Sequence, residues 1–312
     1  MENKEKNFMS AVIYVHNAEK RIGIFLRKII EVLETNFEHS EIICVNDSSD
    51  DSSLEEIKKA SDGTTSTNIS VINMSYYHGI EMAMNAGTDM AIGDFVFELD
   101  NTKLDFDSEV LMTIYRHSLK GYDIVSASPD RKERLSSQIF YKIFDRFTDY
   151  PSRMHTESFR ILSRRVINRV SSMNRTIPYR KAVYANCGLK TDNIQYRVEN
   201  VENILADNHE KQYRIGLGID SLILFTKLGY QFSVTMTVVM MLISVFMLVY
   251  SAVIYATAHP VAGWTTTILF LSIAFLGLFG ILTIIIKYLQ LLVNLIFKRK
   301  HYSLESIEKL TK

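Results

Sequence analysis

Two long stretches without a single Asp, Glu, Lys or Arg, Leu228 to Ala258 and Val261 to Ile286, constrain this chain more than anything else in it. Each is long enough to cross the roughly 30 Å hydrocarbon core of a bilayer, a length that a central helix of a soluble domain rarely needs. Between them, His259-Pro260-Val261-Ala262-Gly263-Trp264 supplies helix breakers and an interfacial tryptophan but no Lys or Arg. The expectation is a hairpin of two transmembrane helices within residues 228–287. Lys211, Arg214 and Lys227 precede it, and Lys287, Lys298, Arg299 and Lys300 follow. That bias predicts an integral membrane protein with both termini in the cytoplasm, residues 288–312 forming a basic tail. Met1 to Asn7 is charged and lacks an apolar run, so residues 1–227 are expected to stay on the cytoplasmic side.

Charge says little else is at work at long range. Thirty-five basic residues face 35 acidic ones, so no global field gathers a polyanion and nucleic acid is not an expected partner. The two cysteines, Cys44 and Cys187, have no Cys or His at ligand spacing and read as buried reduced thiols. His16, His78 and His155 show no pattern either and read as ordinary polar or core residues.

The first two-thirds alternate β-rich runs with amphipathic helical stretches, the pattern of βαβ units and a mainly parallel sheet. Strands are expected at Met9–Val15, Glu41–Val45, Ile69–Met74 and Phe95–Leu99, with another near Tyr122–Ser126. Lys20–Leu33 carries Ile22, Phe25, Leu26, Ile29, Ile30 and Leu33 at helical spacing, and Leu54–Ala60 follows capping residues. In such α/β sheets ligands bind beyond the carboxyl ends of the strands. After the second strand stands Asn46-Asp47-Ser48-Ser49-Asp50-Asp51-Ser52, where a carboxylate can accept hydrogen bonds from a base or ribose, or cap the next helix. After the fourth comes Glu98-Leu99-Asp100-Asn101-Thr102-Lys103-Leu104-Asp105-Phe106-Asp107, hard oxygen ligands that suit Mg²⁺ or Mn²⁺ beneath a diphosphate, or a solvated cap.

The order Val12-Ile13-Tyr14-Val15-His16-Asn17, Val45-Asn46-Asp47, Gly79 through Gly87 to Gly93-Asp94, Leu99-Asp100, Ser158-Phe159-Arg160, then two apolar spans, resembles the polyprenyl-phosphate glycosyltransferases of glycosyltransferase family 2. That family includes dolichyl-phosphate mannose synthase and bacterial undecaprenyl-phosphate glucosyltransferases. The resemblance covers nearly the whole chain and is most specific at Leu135–Val170 and at the hairpin with Pro260 and Trp264. It implies a Rossmann-like GT-A domain over residues 1–227 and inverting transfer of a hexose from a nucleotide-diphosphate sugar to a polyprenyl phosphate at the membrane. It also implies a homo-oligomer, a tetramer in related enzymes.

Carried over by position, the resemblance puts Asn17, Asp47, Asp50 and Asp100 at the donor, Asp47 against the base. Asp100 and Asp105 fall to an Mg²⁺ or Mn²⁺ ion, and Asp100, Glu157 and Ser158 to the catalytic floor. Arg131, Arg160 and Arg197 are assigned to the acceptor phosphate, which guanidinium groups bind bidentately; each also suits a structural ion pair. The pattern is incomplete: Thr102 stands where a second Asp is expected, Leu104 where a Gln often follows, Ser158 where an Asp usually precedes Phe-Arg, and Tyr14 for a proline. Tyr76-Tyr77-His78-Gly79-Ile80 replaces the family's Arg-Asn-x-Gly-Lys segment. Three readings stay open: a transferase with a rearranged metal site, a metal-independent transferase, or a silent relative acting as a membrane-bound binding or assembly subunit. Ser137–Phe147 presents an apolar face suited to the bilayer surface or to packing on the sheet, and Ile215–Lys227 is a second such stretch.

Overall fold

The computed structural model describes residues 4–131, 135–147, 156–173, 179–199 and 302–311, with scattered helical positions between 232 and 292. Strands β1 (Met9–Val15), β2 (Ser40–Asn46), β3 (Thr67–Met74) and β4 (Phe95–Leu99) alternate with helices α1 (Glu19–Asn36), α2 (Ser53–Ser61) and α3 (Ile80–Met90). Then follow α4 (Glu109–Ser118), β5 (Ile124–Pro129), α5 (Leu135–Phe147), β6 (Phe159–Ser163), α6 (Arg164–Met173), α7 (Arg180–Asn186), β7 (Thr191–Tyr196) and β8 (Leu304–Lys309). They build one eight-stranded sheet in the order β7-β5-β6-β4-β1-β2-β3-β8. β1 pairs in parallel with β2 and β4, β2 with β3, and β5 with β7; β6 and β8 run antiparallel to their neighbours.

The helical spacing in α1 does what it predicts: Ile22, Phe25, Leu26, Ile29, Ile30 and Leu33 are all buried. Each such side chain contributes about 1.5–3 kcal/mol by leaving water. On α3, a Cβ at Gly87 would overlap Val12 and come within 2.7 Å of Val45 Cγ2, so only glycine lets that helix lie this close to β1 and β2. From β1 the chain moves outward through β2 and β3, then returns to place β4 on the other side of β1. This reversal makes a switch point between β1 and β4, with a crevice at the carboxyl ends of the parallel strands.

Two departures from the sequence-based expectations stand out. β6 and β7 are strands beyond those expected from the apolar pattern, and residues 288–312, expected as a basic tail, contain β8 of the domain's own sheet. Its residues alternate between half-buried and exposed, and it covers the edge that β3 would otherwise leave open. Ser75 N–H donates to Ser303 O at 3.0 Å, and Leu310 N–H to Ile69 O at 2.8 Å.

The two charge-free runs fall largely outside the described residues, as do Ile215–Lys227 and His155. Among the described residues no helix is long and apolar enough to cross a membrane. Their described helical positions nonetheless carry large apolar side chains outward: Leu242, Phe246, Leu271, Phe275, Leu278, Leu282 and Ile285 are all more than two-fifths exposed. A Cβ at Gly277 would overlap Met240, so helical positions from the two runs meet there.

Candidate active site

The loops after β1 and β2 are laced to each other by short polar side chains. Asn17 N–H donates to Ser49 Oγ at 3.1 Å, and Asp50 N–H to Asn17 Oδ1 at 2.9 Å. Asn17 and Ser48 both take positive φ, 46° and 52°, a conformation such residues adopt only when the surroundings fix it. Asp51 accepts the N–H of Glu19 at 3.0 Å and that of Ser53 at 3.0 Å, joining the starts of α1 and α2. Burial opposes its charge, but hydrogen bonds from Ser53 and Glu19 outweigh it and hold the carboxyl below its ordinary value. Asp51 is thus the carboxylate of this segment that meets the helix starts, while the Asp50 side chain is exposed.

Asp47 is fully buried. Its Oδ1 accepts His78 N–H at 2.8 Å and its Oδ2 accepts Gly79 N–H at 2.9 Å, with Tyr14 Oη donating at 3.1 Å. Gly79 has φ of 82°, the left-handed geometry that glycine alone adopts without cost. Tyr14, standing where the family pattern has proline, is kept protonated, first by burial and then by the Asp47 charge. His16 Nδ1 donates to the Asp47 carbonyl at 2.7 Å, and its ring meets Tyr77 at 4.8 Å. Tyr76, 59% exposed, stacks on His78 at 3.9 Å. As observed, Asp47 shapes the crevice through backbone, holding the 78–79 turn, and presents no oxygen to it.

A second cluster lies at the end of β4. Glu98 and Asp100, two residues apart, share one strand face, and the register sets Arg160 of β6 directly across from Glu98. Arg160, 1% exposed, reaches Glu98 Oε2 at 3.1 Å, Asp100 Oδ2 at 2.9 Å and Glu157 Oε2 at 3.0 Å. Arg180, the first residue of α7 and fully buried, reaches Glu81 Oε2 at 3.1 Å, Glu98 Oε2 at 3.0 Å and Asp100 Oδ1 at 2.8 Å. Tyr184 Oη donates to Glu98 Oε1 at 2.7 Å. Burial opposes the charge on Asp100, but Arg180 and then Arg160 outweigh it and lower its pKa. Of the two roles open to Arg160, the ion pair is the one seen: it is enclosed by carboxylates. Arg131 and Arg197 are exposed.

Beside this cluster, Asp105 and Ser158 converge on Tyr196, whose hydroxyl is 3.1 Å from Asp105 Oδ1 and 2.7 Å from Ser158 Oγ. Thr102 is buried.

The sequence of residues 10–173, just over half of the chain, matches the model of glycosyl transferase family 2. The chain belongs to that family. Curated relatives include an uncharacterized glycosyltransferase of Synechocystis sp., 28% identical over 58% of this chain and 58% of its own length. A prophage bactoprenol glucosyl transferase homolog of Escherichia coli is 27% identical over 68% of this chain and 71% of its own. This family 2 chain thus spans under three-fifths of the first of these relatives. Glucosyl-3-phosphoglycerate synthase of Mycobacterium tuberculosis has a similar fold, with TM-score 0.52 and 13% identity over 70% of this chain and 80% of that one. So has a mannosyltransferase of Pyrobaculum calidifontis solved with GDP-Man and Mn²⁺, with TM-score 0.50 and 13% identity over 70% and 63%. Both place the family 2 domain in the Rossmann-like GT-A fold.

Among the described residues, this family 2 site gathers no ready set of ligands for a divalent ion. Each Asp100 oxygen is held by a guanidinium, one Asp105 oxygen by Tyr196, and no three His, Cys, Asp or Glu among the described residues gather as a metal site. Sequence reading missed Glu81, Arg180, Tyr184 and Tyr196, and took Glu98 only as the first carboxylate of the run after β4. Glu98 left a signal, a carboxylate inside the otherwise apolar FVFEL; Arg180, far along the chain, left none.

Proposed function

We propose that the chain transfers a hexose from a nucleotide-diphosphate sugar to a polyprenyl phosphate at the cytoplasmic face of a membrane, for cell-surface glycan synthesis or modification. The observation that carries the reading is one chain holding both a family 2 switch-point crevice and charge-free runs whose described helical positions turn large apolar side chains outward. The bactoprenol glucosyl transferase relatives support the same pairing of sugar and lipid.

In this reading the loops after β1 and β2 and the Asp47-held turn receive the nucleotide, with Tyr76 and Tyr77 offering aromatic faces. The sugar lies toward Asp100, Glu157 and Ser158, and the exposed guanidiniums of Arg131 and Arg197 meet the acceptor phosphate as fork-shaped donors. A lipid phosphate already carries the negative charge needed to attack the anomeric carbon, so orientation and electrostatics dominate over a strong base, and the configuration inverts. The N- and C-terminal segments lie in the cytoplasm, with the two runs spanning the bilayer.

One observation favours the metal-independent or silent alternatives: Asp100 is neutralised by two buried guanidiniums rather than left open to a cation. The deciding experiment uses the full chain in detergent with undecaprenyl phosphate and UDP-glucose, UDP-galactose, UDP-GlcNAc or GDP-mannose, each with Mg²⁺, with Mn²⁺ or with chelator. Lipid-linked sugar from any donor supports the reading, and its persistence in chelator selects the metal-independent form. Nucleotide-sugar binding without transfer selects the silent one. Asp100→Ala is expected to abolish transfer.

A further inference from the structure

The hydroxyl chain at the end of β7 has a direction that can be worked out from chemistry alone. Tyr196 is 4% exposed and clamped between rings, 6.0 Å from Phe106 and 5.8 Å from Phe159. Backbone bonds fix the segments around it: Asp130 N–H to Tyr196 O at 2.8 Å, Glu199 N–H to Asp105 O at 3.0 Å, Ser158 N–H to Ala127 O at 2.9 Å. An ionised carboxylate only accepts. The one proton of Tyr196 therefore goes to Asp105, and the hydroxyl of Ser158 must donate to the Tyr196 oxygen. Burial keeps the phenol protonated well above its ordinary range, with the Asp105 charge adding to that effect.

The consequence falls on Ser158. Its proton points inward, and among the described residues no further hydrogen bond to its Oγ occupies the lone pairs that remain. An oxygen in this state welcomes an O–H and disfavours an anionic oxygen, so it complements a hydroxyl rather than a fully ionised phosphate. A lone serine would choose either role by rotating; this one is committed by two groups behind it.

Resting on the transferase reading, we propose that Asp105, Tyr196 and Ser158 form a polarised relay in which Ser158 Oγ accepts a hydrogen bond from a hydroxyl of the transferred hexose. Tyr196 is the positioning residue that sets the relay's direction. A protonated oxygen of the acceptor phosphate would offer the same O–H, and the experiment separates the two sources.

The full chain is assayed in detergent with undecaprenyl phosphate and whichever of the four nucleotide sugars the unaltered protein uses. Tyr196→Phe, Ser158→Ala and the double variant are compared, each first checked for an unchanged thermal transition; Ser158→Ala serves if the ring variant fails to fold. Each single change is expected to lower kcat/KM for the donor about tenfold, the scale of one lost hydrogen bond to a positioned group, and the double variant is expected to lose no more. Among the monodeoxy forms of the donor, one is expected to be used equally well by all four proteins. Unchanged kinetics in both single variants, additive losses in the double, or the same loss with every deoxy donor overturns the relay. A defect confined to the acceptor KM, with no deoxy donor singled out, overturns the hexose assignment in favour of the phosphate. If the unaltered protein neither binds nor uses any of the four donors, the transferase reading fails first and the relay's role falls with it.

Discussion

Asp47 after β2 and Asp100 after β4 are both fixed at the carboxyl end of a parallel strand, yet by opposite means. Asp47 is held by neutral donors: two backbone N–H groups and a tyrosine hydroxyl. Asp100 is held by two full charges, Arg160 and Arg180, which also serve Glu98, Glu81 and Glu157. The first arrangement shapes a turn and needs no counter-charge. The second joins β4, β6, α3 and α7 by mutual compensation, and buried compensation is fragile because removing one member strands the rest. One wall of the crevice is thus a matter of chain geometry and the other of charge balance.

The largest expected effect is a break in that balance. Arg180→Ala leaves Glu81, Glu98 and Asp100 short of a cation and is expected to cost about 3–5 kcal/mol, read as a fall in the denaturant midpoint. Arg160→Ala is expected to do the same; a fully stable Arg160→Ala protein that merely uses its acceptor poorly would return Arg160 to the phosphate. Next comes Asp47→Asn, which keeps one acceptor but turns an N–H toward a backbone N–H. A loss of about 1–3 kcal/mol is expected, together with weaker nucleotide-sugar binding by calorimetry.

Acid sharpens the contrast further. Asp100 titrates below the ordinary aspartate value of 3.8 because, against burial, Arg180 and Arg160 favour its charge. A depressed folded-state value contributes stability in full above the unfolded value and loses it as pH falls through the folded one. Denaturant midpoints measured between about pH 2 and pH 6 should therefore drop steeply at the acid end, with Asp100→Asn flattening part of that limb. Smallest of all is Thr102→Ala. Thr102 occupies the position of a missing acid but holds no partner among those of the cluster, so transfer is expected to change less than about threefold and stability by under about 1 kcal/mol.

What could be read from sequence follows the same division. The periodicity of α1 and the apolar runs of β1 to β4 announce themselves because burial imposes a local repeat. Asp47, Asp100 and Asp105 could be singled out by position after β2 and β4, and Ser158 only through the family resemblance. Their partners could not, since His78 lies 31 residues from Asp47 and Arg180 80 residues from Asp100, and only the sheet order brings them together. β6 was missed because Arg160 interrupts its apolar pattern, and that arginine is readable only once Glu98 is known to face it across the register. β7 and β8 are short and polar, strands by pairing rather than by composition.

The position of β8 has a practical outcome for anyone wishing to work with the family 2 domain alone. Cutting the gene just ahead of the first charge-free run would discard a strand hydrogen-bonded along β3, the Ser303 N–H donated to His78 Nε2 at 3.1 Å and the Lys58–Glu308 pair at 2.7 Å. A version without the charge-free runs would have to splice residues 302–311 back on through a short linker, for otherwise the exposed margin of β3 invites clumping and the neighbouring turn loses its prop.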